Sequence, residues 1–263
     1  MKKIKLLSMG TVLFLAFSCT TNDSSVESGN NVSTRAAAEG DKNPYSYVGK
    51  DHNTFLAEQR ANGTNTMEQL VENAFTYAEE REYETAALSK DDMVAIANQA
   101  MDSSFEYSDI EGFAAKYNLS SNVVNNLNKL SDVLNNQDVQ TPTELLNDLT
   151  ALENSYLTGK FSETDKAYLL STIAVAKSST QYWLDFYNIA EDGSEPNNGE
   201  GAPQARIRWF ARIFGAVVSD VIGAVLGAGA GTLVAGPAGT VAGAYIGAAA
   251  ASGGVQFMVD DNL

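Results

Sequence analysis

From Ala211 to Ala251 every fourth residue is small: Ala211, Gly215, Ser219, Gly223, Gly227, Gly231, Ala235, Gly239, Gly243, Gly247 and Ala251. Apolar residues fill the gaps, among them Val217, Val221, Ile222, Leu226, Leu233, Val241 and Ile246, and no charge occurs from Val221 to Val259. Inside a helix in water each glycine costs about 1 kcal/mol relative to alanine. So many at helical spacing need compensation that local propensity does not supply. Close backbone approach between helices in an apolar medium, the small-xxx-small pattern, is that compensation. The stretch reads as a glycine zipper.

A zipper of this length folds back on itself. A repeat of four against a helical period of 3.6 makes the small stripe drift by about 40° per step, so ten steps wind around a straight helix. A single helix from Ile213 to Val259 is also roughly 70 Å long, against a bilayer core of about 30 Å. Gly236-Pro237 supplies the break, because proline disfavours helix at the residue before it and suits position N1 itself. The expected hairpin has one helix over 209–234, a turn at 235–237 and a second helix over 238–257. Gly223, Gly227 and Gly231 then face Gly239, Gly243 and Gly247, with Gly215 two steps earlier on the same stripe.

Charge divides the chain. Residues 36–205 carry 28 acidic and 10 basic side chains, whereas 206–259 carry Arg206, Arg208, Arg212 and the single acid Asp220. An acidic body excludes nucleic acid as its partner, since phosphate binding needs a basic patch. The cationic entry to the apolar tail suits an anionic membrane surface, although arginines that merely solubilise a linker would look the same. Asp220 has two readings as well: an intramembrane acid, functional by default, or a residue at the interface just before the span.

Taken in order, 1–18 read as an export signal, with Lys2, Lys3 and Lys5 before an apolar run. Cys19 is the sole cysteine. Leu15-Ala16-Phe17-Ser18 before it resembles a bacterial lipobox with its leucine one place early, and Ala16-x-Ser18 also suits an ordinary signal peptidase. An unpaired exported cysteine at the first mature position favours lipid attachment. Residues 19–44 read as a disordered tether with Arg35 alone in it. Residues 45–190 form an acidic helical domain of five or six amphipathic helices, a compact bundle. Its start signals are Thr66, Ser89-x-x-Asp92, Ser108-x-x-Glu111, Ser120 or Ser121, Thr141-Pro142-Thr143-Glu144 and Ser162, with Gly159 as a C-terminal stop. Residues 191–205 are a flexible, protease-accessible linker, and 206–263 are the hairpin domain. The fold class is therefore all-α, a helical bundle plus a glycine-zipper α-hairpin.

Residues that carry catalysis are scarce. His52, the one histidine, sits in what reads as a polar loop beside Asp51, so neither a zinc site nor a Ser-His-Asp relay is expected. No phosphate-binding or nucleophile-elbow motif occurs. Glu79/Glu80 and Asp91/Asp92 read as solvated helix faces. No enzyme activity, cofactor or metal is expected.

The zipper resembles the Gly- and Ala-rich peptides of glycine-zipper bacteriocins. The layout of signal, lone Cys19, Arg35, Arg206/Arg208 and apolar tail resembles the protease-activated lipoprotein toxins that gut Bacteroidales direct at related bacteria. That resemblance implies an outer-membrane lipoprotein precursor, later secreted. An Arg-specific protease of the clostripain type would free it at Arg35 and part body from hairpin at Arg206 or Arg208. The implied partners are the target membrane, the chain's own cleaved fragment, a surface receptor and an immunity protein. Two other readings stand beside it: a non-toxic outer-membrane lipoprotein with a permanent glycine-zipper anchor, and a soluble two-domain binding protein whose hairpin is buried against the bundle.

Overall fold

Helix start signals in the sequence are met by formed caps. Thr66 Oγ1 accepts from Gln69 N, Ser89 Oγ from Asp92 N, Ser120 Oγ from Val123 N and Ser162 Oγ from Asp165 N. Thr141 and Glu144 make a reciprocal capping box with Pro142 at the helix start. Each cap satisfies amide groups that the first turn of a helix leaves without an intrahelical acceptor. The computed structural model of the chain describes residues 42–63, 66–101, 110–136, 138–194 and 202–260. Among them are eight helices and no strand: α1 Ser46–Asn62, α2 Met67–Glu80, α3 Lys90–Met101, α4 Ile110–Lys116, α5 Ser121–Leu134, α6 Pro142–Thr158, α7 Glu163–Phe186 and α8 Ala202–Asp260. The fold is all-α. The Ser108 cap lies outside the described residues.

The apolar stripes of α2, α3, α5 and α6 are buried, while Glu79, Glu80, Asp91 and Asp92 are exposed. Helix α1 is the element that periodicity does not reveal. Its buried face mixes Val48, Phe55 and Leu56 with Ser46, Asp51, His52 and Gln59, so no apolar stripe stands out. His52 accordingly lies on a helix and is fully buried, a correction to the polar-loop reading. Gly159 ends α6 in extended rather than left-handed backbone. Its missing side chain instead makes room for the Phe161 ring.

Helix α8 is two helical arms joined by a break. Ala235 (φ −142°, ψ 18°) and Gly236 (φ 58°, ψ −143°) leave the helical region, and Pro237 opens the second arm. The positive φ at Gly236 is one that side-chain-bearing residues rarely adopt. Both arms lie in the core, packed most extensively on α7 and then on α3, α2 and α1. The segments that read as separate domains, 45–190 and 206–263, therefore share one core. The described residues group as one compact unit. The reason is α7, whose residues Ala167–Ala176 are buried on every side, so that the other helices alone do not cover it.

Two expectations about the linker change with this. Glu191–Ser194 is fastened to the start of α6, with the Thr143 amide and hydroxyl both donating to Glu191 O at 3.3 and 3.0 Å. Trp209 is buried there against Gly193 and donates from Nε1 to Gln140 O at 3.4 Å. Helix α8 also starts at Ala202, which places the backbone of Arg206 and Arg208 inside its first two turns rather than at a linker end.

Candidate functional site

The arms of α8 meet backbone to backbone. A Cβ built on Gly227 would fall on the carbonyl oxygen of Gly243, and one on Gly243 on that of Gly227. Gly223 and Gly247 are opposed in the same way, as are Gly231 and Gly239. Near the break the Thr232 and Thr240 hydroxyls meet at 2.7 Å, and each also donates to a carbonyl four residues earlier or is positioned to. Gly215 stands apart. It is exposed, and among the described residues nothing lies within 4 Å of a Cβ built there; drift of the four-residue stripe turns it off the seam. Other glycines receive side chains from the body: Gly229 takes the Tyr117 ring, Gly253 takes Leu70, and Gly254 takes Met101 and Met67. Small residues thus seat the arms against the bundle as well as against each other.

Asp220, the acid of the first arm, is fully buried. Two donors from α7 meet its Oδ2, the Ser179 hydroxyl at 2.6 Å and the Trp183 indole N–H at 3.0 Å. From α1, His52 Nε2 stands 3.7 Å away, and Ser252 of the second arm faces the same carboxylate without a formed hydrogen bond. Serine, histidine and aspartate do come together here. The carboxylate lies between hydroxyl and imidazole, however, whereas a nucleophilic relay needs the imidazole in the middle. What the cluster does physically is tie the first arm to α1 and α7.

A second fastening holds the other arm. The Tyr245 ring stacks with Tyr77 (centroids 5.8 Å apart, 21° between planes) and with Tyr83 (5.0 Å, 23°). Asp51, next to His52 on α1, accepts from the Tyr83 hydroxyl at 2.9 Å and pairs with Arg81 Nε at 3.5 Å. Arg81 in turn lies 3.3 Å above the Tyr77 ring. Burial, reinforced by the Asp51 carboxylate, pushes the Tyr83 phenol well above its ordinary pKa, so it stays a donor. Consecutive residues of α1 thereby serve both arms. A third contact from the body, the Tyr168 hydroxyl, donates to Val225 O of the first arm.

The closed end of the hairpin differs from its shaft. Leu233 and Val234 are 56% and 53% exposed, against a shaft in which 221–229 and 239–254 are buried throughout. A shallow pocket beside this tip is lined by Asp92, Ile96, Lys116, Tyr117, Leu233 and Val234.

Among the expected site residues, Gly223, Gly227, Gly231, Gly239, Gly243 and Gly247 come together, Gly236 and Pro237 sit at the break, and Asp220 lies in the core. Cys19 and Arg35 lie outside the described residues, as do the side chains of Arg206 and Arg208. His52, Ser179, Trp183 and the Tyr77/Tyr83/Tyr245 stack were not anticipated as parts of a site. One signal pointed to the first group: a lone acid in an apolar run must find polar partners, and the chain has one histidine to offer. No protein-family model matches this chain, and no curated protein or solved structure matches it either.

Proposed function

We propose that this chain is the water-soluble precursor of an antibacterial, membrane-permeabilising toxin, with the glycine-seamed hairpin as its active part. The observation that carries the reading is an apolar helical stretch, Ile213–Val255, long enough to cross a bilayer, with 78% of its most apolar window buried inside the fold. In lipid the same rods keep their seam, because backbone contact between glycines needs no water to drive it. In water the body supplies the cover. Export as a lipoprotein through Cys19, release at Arg35 and separation at Arg206 or Arg208 complete the scheme. The latter bonds lie near a helix start, where unpaired amides make unwinding inexpensive. A hairpin seated this deeply favours deployment on demand over a permanent non-toxic anchor.

The same burial also fits a second reading. The hairpin is then simply the core of a soluble helical protein and never leaves it. The two readings part on one experiment. Full chain is added to dye-loaded vesicles and to lawns of related bacteria, with and without an Arg-specific protease. Dye release and killing after cleavage are expected. Silence of cut and uncut protein in both assays would remove the toxin reading and leave the soluble one.

A further inference from the structure

We propose that the hairpin tip is a lipid-docking wedge already presented by the uncleaved chain, through which the intact fold rests on a bilayer surface. The docking concerns the closed fold, so it stands whether or not the hairpin later leaves the core.

Among the described residues, Leu233 and Val234 are the large apolar side chains left exposed. They are adjacent, and they end the first arm of the apolar stretch Ile213–Val255, which is long enough to cross a bilayer. From Thr232 to Ala238 the tip is at least partly exposed and carries no charged residue. Its polar groups are arranged for a place without water, where an unpaired peptide group is costly. Pro237 brings no N–H to the turn. The hydroxyls of Thr232 and Thr240 meet at 2.7 Å and lie on Ala228 O and Gly236 O at 2.7 and 2.8 Å, so both are engaged within the hairpin.

The size of the wedge selects its occupant. Two half-exposed side chains offer on the order of 200 Å² of apolar surface, against the roughly 800 Å² that each partner buries in a stable protein interface. A second copy of the chain is therefore poorly served by this tip. A bilayer asks for no matching surface, and a small apolar projection sinks into it directly. Charge selects the kind of lipid. Asp92 and Lys116, both exposed, flank the tip with opposite signs, while the whole chain has a formal charge of −16. An anionic surface repels such a body, so the matching surface is zwitterionic. Binding through an uncharged wedge also survives salt, which weakens electrostatic adsorption.

The test uses the uncleaved full chain carrying Cys19→Ser, which removes lipid attachment and leaves one introduced cysteine to label. An environment-sensitive dye is placed through Val234→Cys. In a reference chain it is placed through Glu191→Cys, an exposed position near Trp209, roughly 36 Å along the arm from the tip. Phosphatidylcholine vesicles with brominated acyl chains are added into the millimolar lipid range, because two side chains bind less tightly than one myristoyl chain, K about 10⁴ M⁻¹. The dye at position 234 is expected to be quenched, and the dye at 191 is not, with no loss of quenching in added salt. Leu233→Asp in the chain labelled at 234 should raise the lipid needed for half-quenching about tenfold. An unquenched dye at 234 overturns the docking, as does equal quenching at both positions. Emission at 234 that shifts with protein concentration in lipid-free buffer would assign the tip to a second copy and also overturns it. Leakage from dye-loaded vesicles after Arg-specific cleavage keeps the two claims apart. Quenching without leakage keeps the docking and sinks the toxin reading, whereas leakage with an unquenched tip does the reverse.

Discussion

A carboxylate in an apolar core is tolerated only where donors surround it, and Asp220 is held by Ser179, Trp183 and His52. Replacing it with alanine strands two buried donors, the Ser179 hydroxyl and the Trp183 indole, and a loss of about 2–5 kcal/mol is expected, read as a fall in the urea midpoint. The glycines separate in the same way by what surrounds them. At Gly227 a methyl group meets backbone, which cannot step aside, so Gly227→Ala is expected to cost about 1–3 kcal/mol. At exposed Gly215 a methyl meets nothing, so Gly215→Ala is expected to add about 0.5–1 kcal/mol through helix propensity. Equal effects of the two substitutions on the midpoint would deny that the seam is a packing device. The glycine spacing made the seam legible in the sequence. It did not tell Gly215 from the others, because helical drift decides that only once the arms are docked.

At the scale of elements, the hairpin is fixed along its shaft and open at its tip. Leu233 and Val234 are more than half exposed, so Leu233→Asp with Val234→Asp should change stability by no more than about 0.5 kcal/mol each. If the tip leads the hairpin into lipid, the same pair of changes should abolish vesicle binding after protease treatment. Unaltered binding would place first contact elsewhere. The second arm depends on α1 through Tyr83 and Asp51. Tyr83→Phe keeps the ring stack and loses the hydrogen bond, an expected cost of about 1.5–3 kcal/mol because the acceptor is charged. The raised Tyr83 pKa gives its pH dependence a definite sign. A group whose folded pKa is raised contributes stability that is present below the unfolded value, about 10, and lost as pH climbs past it. Thermal melts of Tyr83→Phe should therefore fall less steeply than wild type on the alkaline side. Helix α1 itself was hidden from periodicity because its inward face carries Asp51, His52 and Gln59. Those residues are inward because they hold other elements.

For the whole molecule, body and hairpin are one folding unit with a shared core. Residues 36–200 produced alone should lack a rigid core, since Ala167–Ala176 of α7 lose the arms that cover them. Intense dye binding with retained helicity is the expected signature, and a sharp cooperative melt would contradict it. For the same reason, cleavage near Arg206 should leave the two fragments co-eluting on size exclusion until detergent or membrane takes the hairpin. Fragments that part in plain buffer would show that the shared core is not what holds them.

Local chemistry settled much of this chain before any fold was formed. Caps at Thr66, Ser120, Thr141 and Ser162, apolar stripes every three to four residues, and a Gly-Pro break are short-range features whose energetics involve neighbours in sequence. They made an all-helical chain with a glycine-rich apolar end readable from its letters. Which surface that end is pressed against is a long-range matter. It was decided when α7 needed cover on every side, when Asp220 needed donors 37 and 41 residues away, and when α1 supplied Asp51 and His52 to opposite arms. No local pattern encodes such partners, because the free energy that selects them appears only on burial.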